Sequence, residues 1–379
     1  METKLLNGNN KEAIAEASKI LQDGGLVAFP TETVYGLGAD ALNADAAAKI
    51  YAAKGRPSDN PLIVHIADTD AVEKLADLET MNRTHPDMVK KAYMLMEAFW
   101  PGPLTIIFPK LAIVPDGTTG GLPTVAIRMP SHPIAQELIR TSGVSIAAPS
   151  ANTSGRPSPT TAQHVWEDMD GRIEMILDGG AVGIGIESTI VDMTGTIPTI
   201  LRPGFITKTM LSEIVGDVTV DPAIIEPDPN LRPKAPGMKY THYAPHGTLS
   251  IVEAVADESA NRASLHSGVK VSYNATEAET LRVAEKIKAL VNEKEAQGYK
   301  VAILTTKEHA SLYKNYSHVL IVGEGSKGQT ISARLYAALR ECDSEQMEYM
   351  YSEAFDQNEL GGAIMNRLLK AAGHRVITV

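Results

Sequence analysis

The sequence has very little cysteine: Cys342 is the one thiol among 379 residues. A single thiol excludes an intramolecular disulfide and a zinc site made of clustered cysteines. There is also no run of about 18 apolar residues, the length that a membrane-spanning helix needs. The N-terminal stretch has no signal-peptide core. We therefore expect a cytoplasmic protein.

A net positive charge is missing as well, since the formal net charge is −11. Residues 1–210 carry 17 Lys and Arg against 24 Asp and Glu, and the remaining residues carry 18 against 22. Neither part is basic, which argues against a protein that binds nucleic acid over a broad surface. A local cationic pocket for a nucleotide phosphate is compatible with these totals.

The overall composition is that of a soluble globular protein, with 44 % apolar and 21 % charged residues. A chain of 379 residues is long enough for two domains of ordinary size.

The segment 29–66 places polar and charged residues between two short apolar segments. Residues 26–29 predict a buried strand, which ends at a proline because proline cannot donate a hydrogen bond to a sheet. The alanine-rich segment 44–53 predicts a helix. Residues 62–66 predict a second strand, which carries His65.

Two cations, Lys54 and Arg56, follow this predicted helix on a glycine-containing loop. Arginine binds polyanions through its planar fork, and lysine binds them as a point charge. Two interpretations stay open on the spacing alone: a phosphate-binding loop, or a solvated turn whose cations favourably follow a helix C-terminus.

Further cations are expected where other strands end. Residues 124–128 predict a strand on which Thr124 and Arg128 share one face, because side chains alternate along a strand. Arg156 follows a polar loop, and Arg202 follows a predicted strand. If at least three of the four cationic places converge, they form a site for a triphosphate and a carboxylate. For Arg128, an edge-strand side chain in solvent is the alternative.

Polar loops supply the other candidate ligands. The predicted strand 144–148 leads into a loop of Ser, Asn, Thr and Gly that contains Ser150 and Asn152. Such a loop is a usual place for ligand contacts, and it is equally typical of an ordinary polar turn. A second, glycine-rich connection precedes the run 187–192, which contains Ser188.

A proline-rich segment, 221–245, favours an extended linker over a folded unit. It contains Tyr240 and Tyr243 beside a lysine and a histidine, which a plain spacer does not need. The alternative is a linker that simply packs between domains. Residues 247–379 alternate between predicted strands and helices, which indicates a small, mainly parallel sheet with helices on its faces. The strands are predicted at 249–252, 269–273, 301–304, 318–322 and 376–379, and the helices at 276–297, 332–342 and 360–372.

Several long motifs, in a fixed order, resemble the YrdC-like family, the threonylcarbamoyl-AMP synthases, in its longer two-domain form. They are FPTETVYGLG with the KGRPSDNPL loop (29–62), WPGPLT (100–105), APSAN (148–152), GIESTIVD (185–192), LRPG (201–204) and PGMKYTHYAP (236–245). The resemblance implies an α/β fold. It comprises a YrdC-like twisted mixed sheet with flanking helices (1–215), a Pro-rich linker over the active site (216–246) and a smaller Rossmann-like C-terminal α/β domain (247–379).

The resemblance also implies an activity, that of an L-threonylcarbamoyladenylate synthase, a nucleotidyltransferase. Such enzymes use L-threonine, bicarbonate and ATP, release pyrophosphate, and pass the product to a tRNA threonylcarbamoyl transferase complex. Catalysis should rest on positioning and charge stabilisation, with Mg²⁺ on the triphosphate. We expect no covalent intermediate, no redox step, no protein metal ligands, and weak or absent direct tRNA binding.

The family's site residues carry over to matching positions of this sequence. L-threonine is expected to contact Thr33, His65, Arg128, Ala148 (through its backbone) and Ser188, with Arg128 pairing bidentately with the carboxylate. ATP is expected to contact Lys54, Arg56, Asn60, Thr124, Ser150, Asn152, Ser158, Arg202 and either Tyr240 or Tyr243. Lys54 and Arg56 are also the expected catalytic cations. The linker tyrosines are the least specific of these, because several candidates lie close together in the sequence. For His65, a core histidine at a strand end is the alternative.

Three other hypotheses compete with this one. A double-stranded RNA or tRNA-binding, or ribosome-associated, module conflicts with the acidic totals. A carbamoyltransferase of the hydrogenase-maturation type would carry zinc-finger cysteines, which a single thiol excludes. An unassigned ATP-binding α/β protein would require that L-threonine has no effect on turnover.

Overall fold

The structure, a computed structural model, describes residues 2–224, 235–236, 243–254, 275–355 and 360–379. These residues form two compact units. The first comprises Met1–Ser154 and Ser158–Lys239, and the second comprises Gly155–Pro157 and Tyr240–Val379. The domain limits at 215 and 247 stay a prediction.

The first unit is built on a mixed sheet of eleven strands in the order β1-β8-β2-β3-β7-β4-β6-β5-β9-β10-β11. The predicted α/β fold with a mixed sheet is confirmed. The strands are β1 (Lys4–Asn7), β2 (Val27–Phe29), β3 (Gly36–Asp40), β4 (Ile63–His65), β5 (Leu104–Pro109), β6 (Thr124–Arg128), β7 (Ile146–Ala147), β8 (Met175–Asp178), β9 (Thr189–Asp192), β10 (Thr199–Arg202) and β11 (Thr219–Val220).

Helices cover this sheet on both faces because its strands are apolar on both sides. On one face, α1 and α6 pack on Val27, Phe29 and Leu177. On the other face, a larger core includes residues of α2, α4, α7 and α8. The helices are α1 (Lys11–Gln22), α2 (Ala44–Lys54), α3 (Leu78–Thr84), α4 (Pro86–Phe99), α5 (Asp116–Thr119), α6 (Pro133–Ser142), α7 (Ala162–Met169) and α8 (Lys208–Val215).

Strand register brings distant parts of the sequence together in the first unit. β4 and β6 run parallel with His65 opposite Arg128, and β6 and β5 run antiparallel with Arg128 opposite Thr105. β5 is parallel to β9, with Thr105 opposite Ile190. One row of residues across four strands is therefore fixed by backbone hydrogen bonds.

The second unit contains a five-stranded sheet in the order β14-β13-β15-β12-β16, and every recorded pairing in it is parallel. Its strands are β12 (Thr248–Glu253), β13 (Val301–Thr305), β14 (Val319–Ile321), β15 (Tyr349–Glu353) and β16 (Val376–Thr378). Its helices are α9 (Glu277–Ala296), α10 (Gly328–Ser344) and α11 (Leu360–Ala371). This confirms the predicted smaller parallel α/β unit, although the sequence analysis missed β15. The strand predicted at 269–273 lies outside the described residues.

Among the helices of the described ranges, none combines the length and apolar character that crossing a membrane requires.

Candidate active site

An apolar strip crosses the part of the first unit's sheet made by β4, β6, β5, β9 and β10. It consists of Ile63, Ala126, Ile107, Ile190 and Leu201, and Ala235 packs on it. Because side chains alternate along strands, the residues two positions away from the strip point to the same side. Those residues include predicted ligands of L-threonine, namely His65, Arg128 and Ser188, together with Thr105.

Arg128 is buried at the end of β6, with 4 % of its surface exposed. Its Nη1 donates to Thr33 Oγ1 at 2.9 Å, and its Nε donates to the carbonyl of Gly102 at 3.3 Å. Its Nη2 lies 2.6 Å from Glu32 Oε1. The solvent-exposed alternative for Arg128 is therefore wrong. The sequence analysis gave Glu32 no role, and here it neutralises the guanidinium.

His65 is an uncharged hydrogen-bond acceptor in this site. Burial first, and the nearby Arg128 second, lower its pKa from 6.5 to about 3. Its Nδ1 lies 3.1 Å from the carbonyl oxygen of Ile63, and since a carbonyl only accepts, Nδ1 carries the proton. The neutral ring then has no proton on Nε2. The ring also packs edge-on against Phe29, with centroids 6.0 Å apart, so it is a core residue beside a charged one.

Thr33 can accept a hydrogen bond from a ligand. The hydroxyl proton of Thr31 goes to the carbonyl of Val34 at 2.6 Å, and Thr31 Oγ1 accepts from the backbone N–H groups of Thr33 and Val34 at 3.2 and 3.3 Å. The hydroxyls of Thr31 and Thr33 lie 2.9 Å apart. Since the Thr31 proton is used on Val34, Thr33 Oγ1 accepts from Arg128 and keeps a second lone pair for a ligand.

Ser188 lies between Thr105 and Arg202. Its hydroxyl is 2.8 Å from Thr105 Oγ1 and accepts from Arg202 Nη2 at 3.1 Å. Arg202 Nε also donates to the Ser188 carbonyl at 3.0 Å. Through these contacts Arg202 and Arg128, two of the predicted cations, are separated by only Ser188 and Thr105. The sequence analysis missed Thr105, which looks like an ordinary strand residue.

Lys54 holds the polar loop that follows β7. Helix α2 begins at an Asn43 cap and ends at Gly55, whose φ of +62° is in the left-handed region that favours glycine. The buried ammonium of Lys54 donates to the carbonyl of Ser150 at 2.5 Å and to that of Asn152. The Ser150 hydroxyl donates to Asn152 Oδ1 at 2.5 Å. Three predicted ATP residues are thus brought together.

Arg56 and Asn60 lie on the loop after α2. Arg56 donates to the backbone carbonyls of Asn60 and Pro61 at 3.4 and 3.2 Å and is half-buried. Asn60 is buried, and its Oδ1 has no hydrogen-bond partner in the described part of the chain. Thr124 lies at the opposite end of β6 from Arg128.

The remaining predicted residues divide between the two units. In the first unit, Ala148 donates its backbone N–H to the carbonyl of Ile63 at 2.8 Å, and the Ser158 hydroxyl donates to Glu187 Oε1 at 2.6 Å. In the second unit, Tyr243 packs against Tyr336 with ring centroids 5.1 Å apart. Tyr240 lies outside the described residues.

Arg156 belongs to the second unit, where it pairs with Asp343 at 3.4 Å. Of the other predicted cationic places, Arg128 and Arg202 are connected through Thr105 and Ser188. The convergence of at least three of the four places stays a prediction. Across the described ranges, no group of three or more His, Cys, Asp or Glu side chains is arranged to hold a metal ion.

The chain is similar to known proteins along nearly its whole length. A family model described as "Telomere recombination" matches residues 19–204, and one described as "Threonylcarbamoyl-AMP synthase, C-terminal domain" matches residues 206–373. The threonylcarbamoyl-AMP synthase of Bacillus subtilis is 47 % identical over 369 residues, covering 97 % of this chain and 95 % of that protein. The enzyme of Pyrococcus abyssi is 41 % identical over 376 residues, covering 98 % of each chain. The crystal structure of P. abyssi Sua5 complexed with L-threonine superimposes with a TM-score of 0.84 at 40 % identity, covering 100 % of both chains.

Proposed function

The chain belongs to the threonylcarbamoyl-AMP synthase family, and on that premise we propose that it converts L-threonine, bicarbonate and ATP to threonylcarbamoyl-AMP and pyrophosphate. One observation carries the proposal: a buried arginine, Arg128, contacts Thr33 and lies beside the neutral His65. A cation next to two acceptors is the pattern that an α-amino acid with a hydroxyl side chain requires. The solved P. abyssi relative was crystallised with L-threonine.

L-threonine would bind through complementary charges and hydrogen bonds. Arg128 would take the carboxylate, while Thr33 and His65 would accept from the ammonium or the hydroxyl group. The Ala148 backbone and Ser188 would complete the contacts. Because Glu32 lies 2.6 Å from Nη2 of Arg128, the full bidentate pairing expected from the sequence would require Glu32 to move. We favour a carboxylate contact that uses the remaining N–H donors.

ATP would bind along the loops that follow α2 and β7. Lys54, Arg56 and Arg202 would face the phosphates, with Lys54 also holding the loop in place. The polar contacts would come from Asn60, Thr124, Ser150, Asn152, Ser158 and one of Tyr240 or Tyr243. Mg²⁺ would be bound chiefly by the phosphates, as is usual in nucleotide sites, and would neutralise part of the triphosphate charge.

The chemistry then needs little from the protein beyond positioning. The threonine amine reacts with CO₂ or bicarbonate to give a carbamate, and a carbamate oxygen attacks the α-phosphorus as pyrophosphate leaves. Fixed cations stabilise the charge that develops on the phosphate oxygens. A downstream transferase would consume the product, attaching the threonylcarbamoyl group to an adenosine of tRNA.

The proposal is tested by measuring pyrophosphate release from ATP with and without L-threonine, in bicarbonate buffer and in buffer purged of CO₂. We expect release only when both are present. Arg128→Gln should raise the KM for L-threonine by roughly tenfold or more, since a charge-assisted hydrogen bond is worth about 1.5–3 kcal/mol. Arg140→Gln, at an exposed arginine of α6, is the matched control. Release that does not depend on L-threonine would overturn the substrate assignment.

A further inference from the structure

Glu187 is a buried acid for which the sequence analysis found no role. It directly precedes Ser188 and has 6 % of its surface exposed. Its carboxylate accepts a hydrogen bond from the hydroxyl of Ser158, whose side chain is fully buried, at 2.6 Å. Ser158 is one of the residues proposed above for ATP. The acid therefore acts on the nucleotide part of the site through its neighbour.

The backbone around both residues is fixed. The carbonyl of Pro159 accepts from the Tyr35 N–H at 2.9 Å. Beside Glu187, Gly204 approaches so closely that a Cβ there would lie 2.8 Å from the Glu187 carbonyl oxygen. The Ser158–Glu187 hydrogen bond is thus held from both ends.

This hydrogen bond restricts what Ser158 can offer a ligand. A serine hydroxyl has one proton and two lone pairs. Since its proton is donated to Glu187, Ser158 can only accept a hydrogen bond from a ligand. At neutral pH the phosphates of ATP carry acceptors, whereas the donors are the N6 amine of adenine and the two ribose hydroxyls.

We propose that Glu187 is a positioning residue that directs the lone pairs of Ser158 towards a donor on the adenosine half of ATP, the amine or a ribose hydroxyl. The inference rests on the ATP site proposed above. It separates the site into a nucleoside end at Ser158 and a phosphate end at Lys54 and Arg56. The sequence alone assigns these residues to ATP without distinguishing its two ends.

The test compares how strongly two protein variants bind a set of ATP analogues, so that the loss of a nucleotide donor can be matched to the loss of the Ser158 hydroxyl. Dissociation constants are measured for wild type and Ser158→Ala with ATP, 2′-deoxy-ATP, 3′-deoxy-ATP and N6,N6-dimethyl-ATP. Removing the donor that contacts Ser158 should weaken binding to wild type by roughly threefold to tenfold. The same analogue should bind Ser158→Ala with no further loss. Equal losses in both proteins for every analogue would overturn the inference.

Glu187→Gln tests the positioning role separately. The amide keeps the size of the side chain but offers N–H donors as well as an oxygen, so the Ser158 proton is no longer committed. We expect a higher KM for ATP, an unchanged KM for L-threonine, and reduced discrimination against the sensitive analogue. Glu137→Gln, at an exposed acid of α6, is the matched control. If Glu187→Gln discriminates against this analogue as strongly as wild type does, Glu187 does not determine that Ser158 acts as a hydrogen-bond acceptor.

Binding and turnover keep the two proposals apart. Suppose that one analogue loses affinity for wild type but not for Ser158→Ala, and that pyrophosphate release does not depend on L-threonine. The inference about Glu187 would then stand, and the proposed reaction would be wrong. Normal turnover with no coupling between Ser158 and any adenosine donor would defeat the inference alone.

Discussion

Lowering the pH from 7 to 5 should destabilise the first unit by about 2 kcal/mol through His65 alone. Burial and Arg128 lower the pKa of this histidine from 6.5 to about 3 in the folded protein. As the pH falls, the unfolded chain therefore binds the proton before the folded chain does. The stability is fully present above pH 6.5 and is lost progressively as the pH falls towards 3. Each pH unit in this window is worth about 1.4 kcal/mol, and pH 5 lies about 1.5 units below the unfolded pKa.

The assay uses the two tryptophans, Trp100 and Trp166, which both lie in the first unit. Urea unfolding followed by tryptophan fluorescence therefore reports that unit directly. We compare wild type with His65→Gln at pH 7 and pH 5 and at constant ionic strength, so that the other titrating groups cancel. His85→Gln, at a histidine outside the site, is the control and should follow wild type.

The expected result is that wild type loses about 2 kcal/mol more than His65→Gln between the two pH values. If both proteins lose the same stability, His65 is not buried in its neutral form. The assignment of its Nε2 as an acceptor for L-threonine would then fail with it.

Three further predictions test other parts of the structure. Lys54→Met should cost the first unit about 2 kcal/mol or more in urea unfolding, because the carbonyls of Ser150 and Asn152 lose their buried donor; unchanged stability would contradict this role. Arg56→Ala should abolish ATP turnover in the pyrophosphate assay and leave the fold intact, as shown by a cooperative urea transition, and normal turnover would remove that loop from the phosphate site. Burial raises the pKa of Glu253 to about 7, so the second unit should lose stability as the pH rises from 4.5 to 7. Glu253→Gln should be more stable than wild type at pH 8 and not at pH 4.5, as measured by circular dichroism, and equal stability at pH 8 would refute the effect.

Much of the fold follows from sequence because periodic apolar patterns and caps are local signals. The helix predicted at 44–53 is observed as Ala44–Lys54, and Asn43 caps it through its side chain. The signals that failed were short or polar. β1 is four largely exposed residues, and β3, with the sequence GLGAD, contains two glycines. At Gly38, a Cβ would lie 2.7 Å from the side chain of Ile146, so a close approach occurs inside a strand.

Candidate site residues could be predicted where they belong to a sequence motif. The residues that hydrogen-bond or ion-pair with them could not be predicted. Glu32 contacts Arg128, which lies 96 positions later in the sequence. Glu187 contacts Ser158, which lies 29 positions earlier. Thr105 meets Ser188 only because β5 and β9 are neighbours. No local pattern encodes such pairs, since they depend on sheet order. For the same reason the hydrogen-bond polarity of Thr33 and His65 could not be assigned before the contacts were known.

The pairing of β1 with β8 sets a lower limit on how soon the first unit can finish folding during synthesis. Lys4 is hydrogen-bonded in register with Met175, about 170 residues later. At about 5–20 residues per second, ribosomes need roughly 10–30 s to make that stretch. Until then the apolar face of α1 lacks β8, and until residue 142 is made it also lacks α6. Contacts of such long range also slow folding of the released chain. Among the described elements of this unit, β1 is thus the first strand to be synthesised and one of the last to be paired. Nascent chains shorter than about 180 residues should therefore depend on chaperones that shield the apolar face of α1.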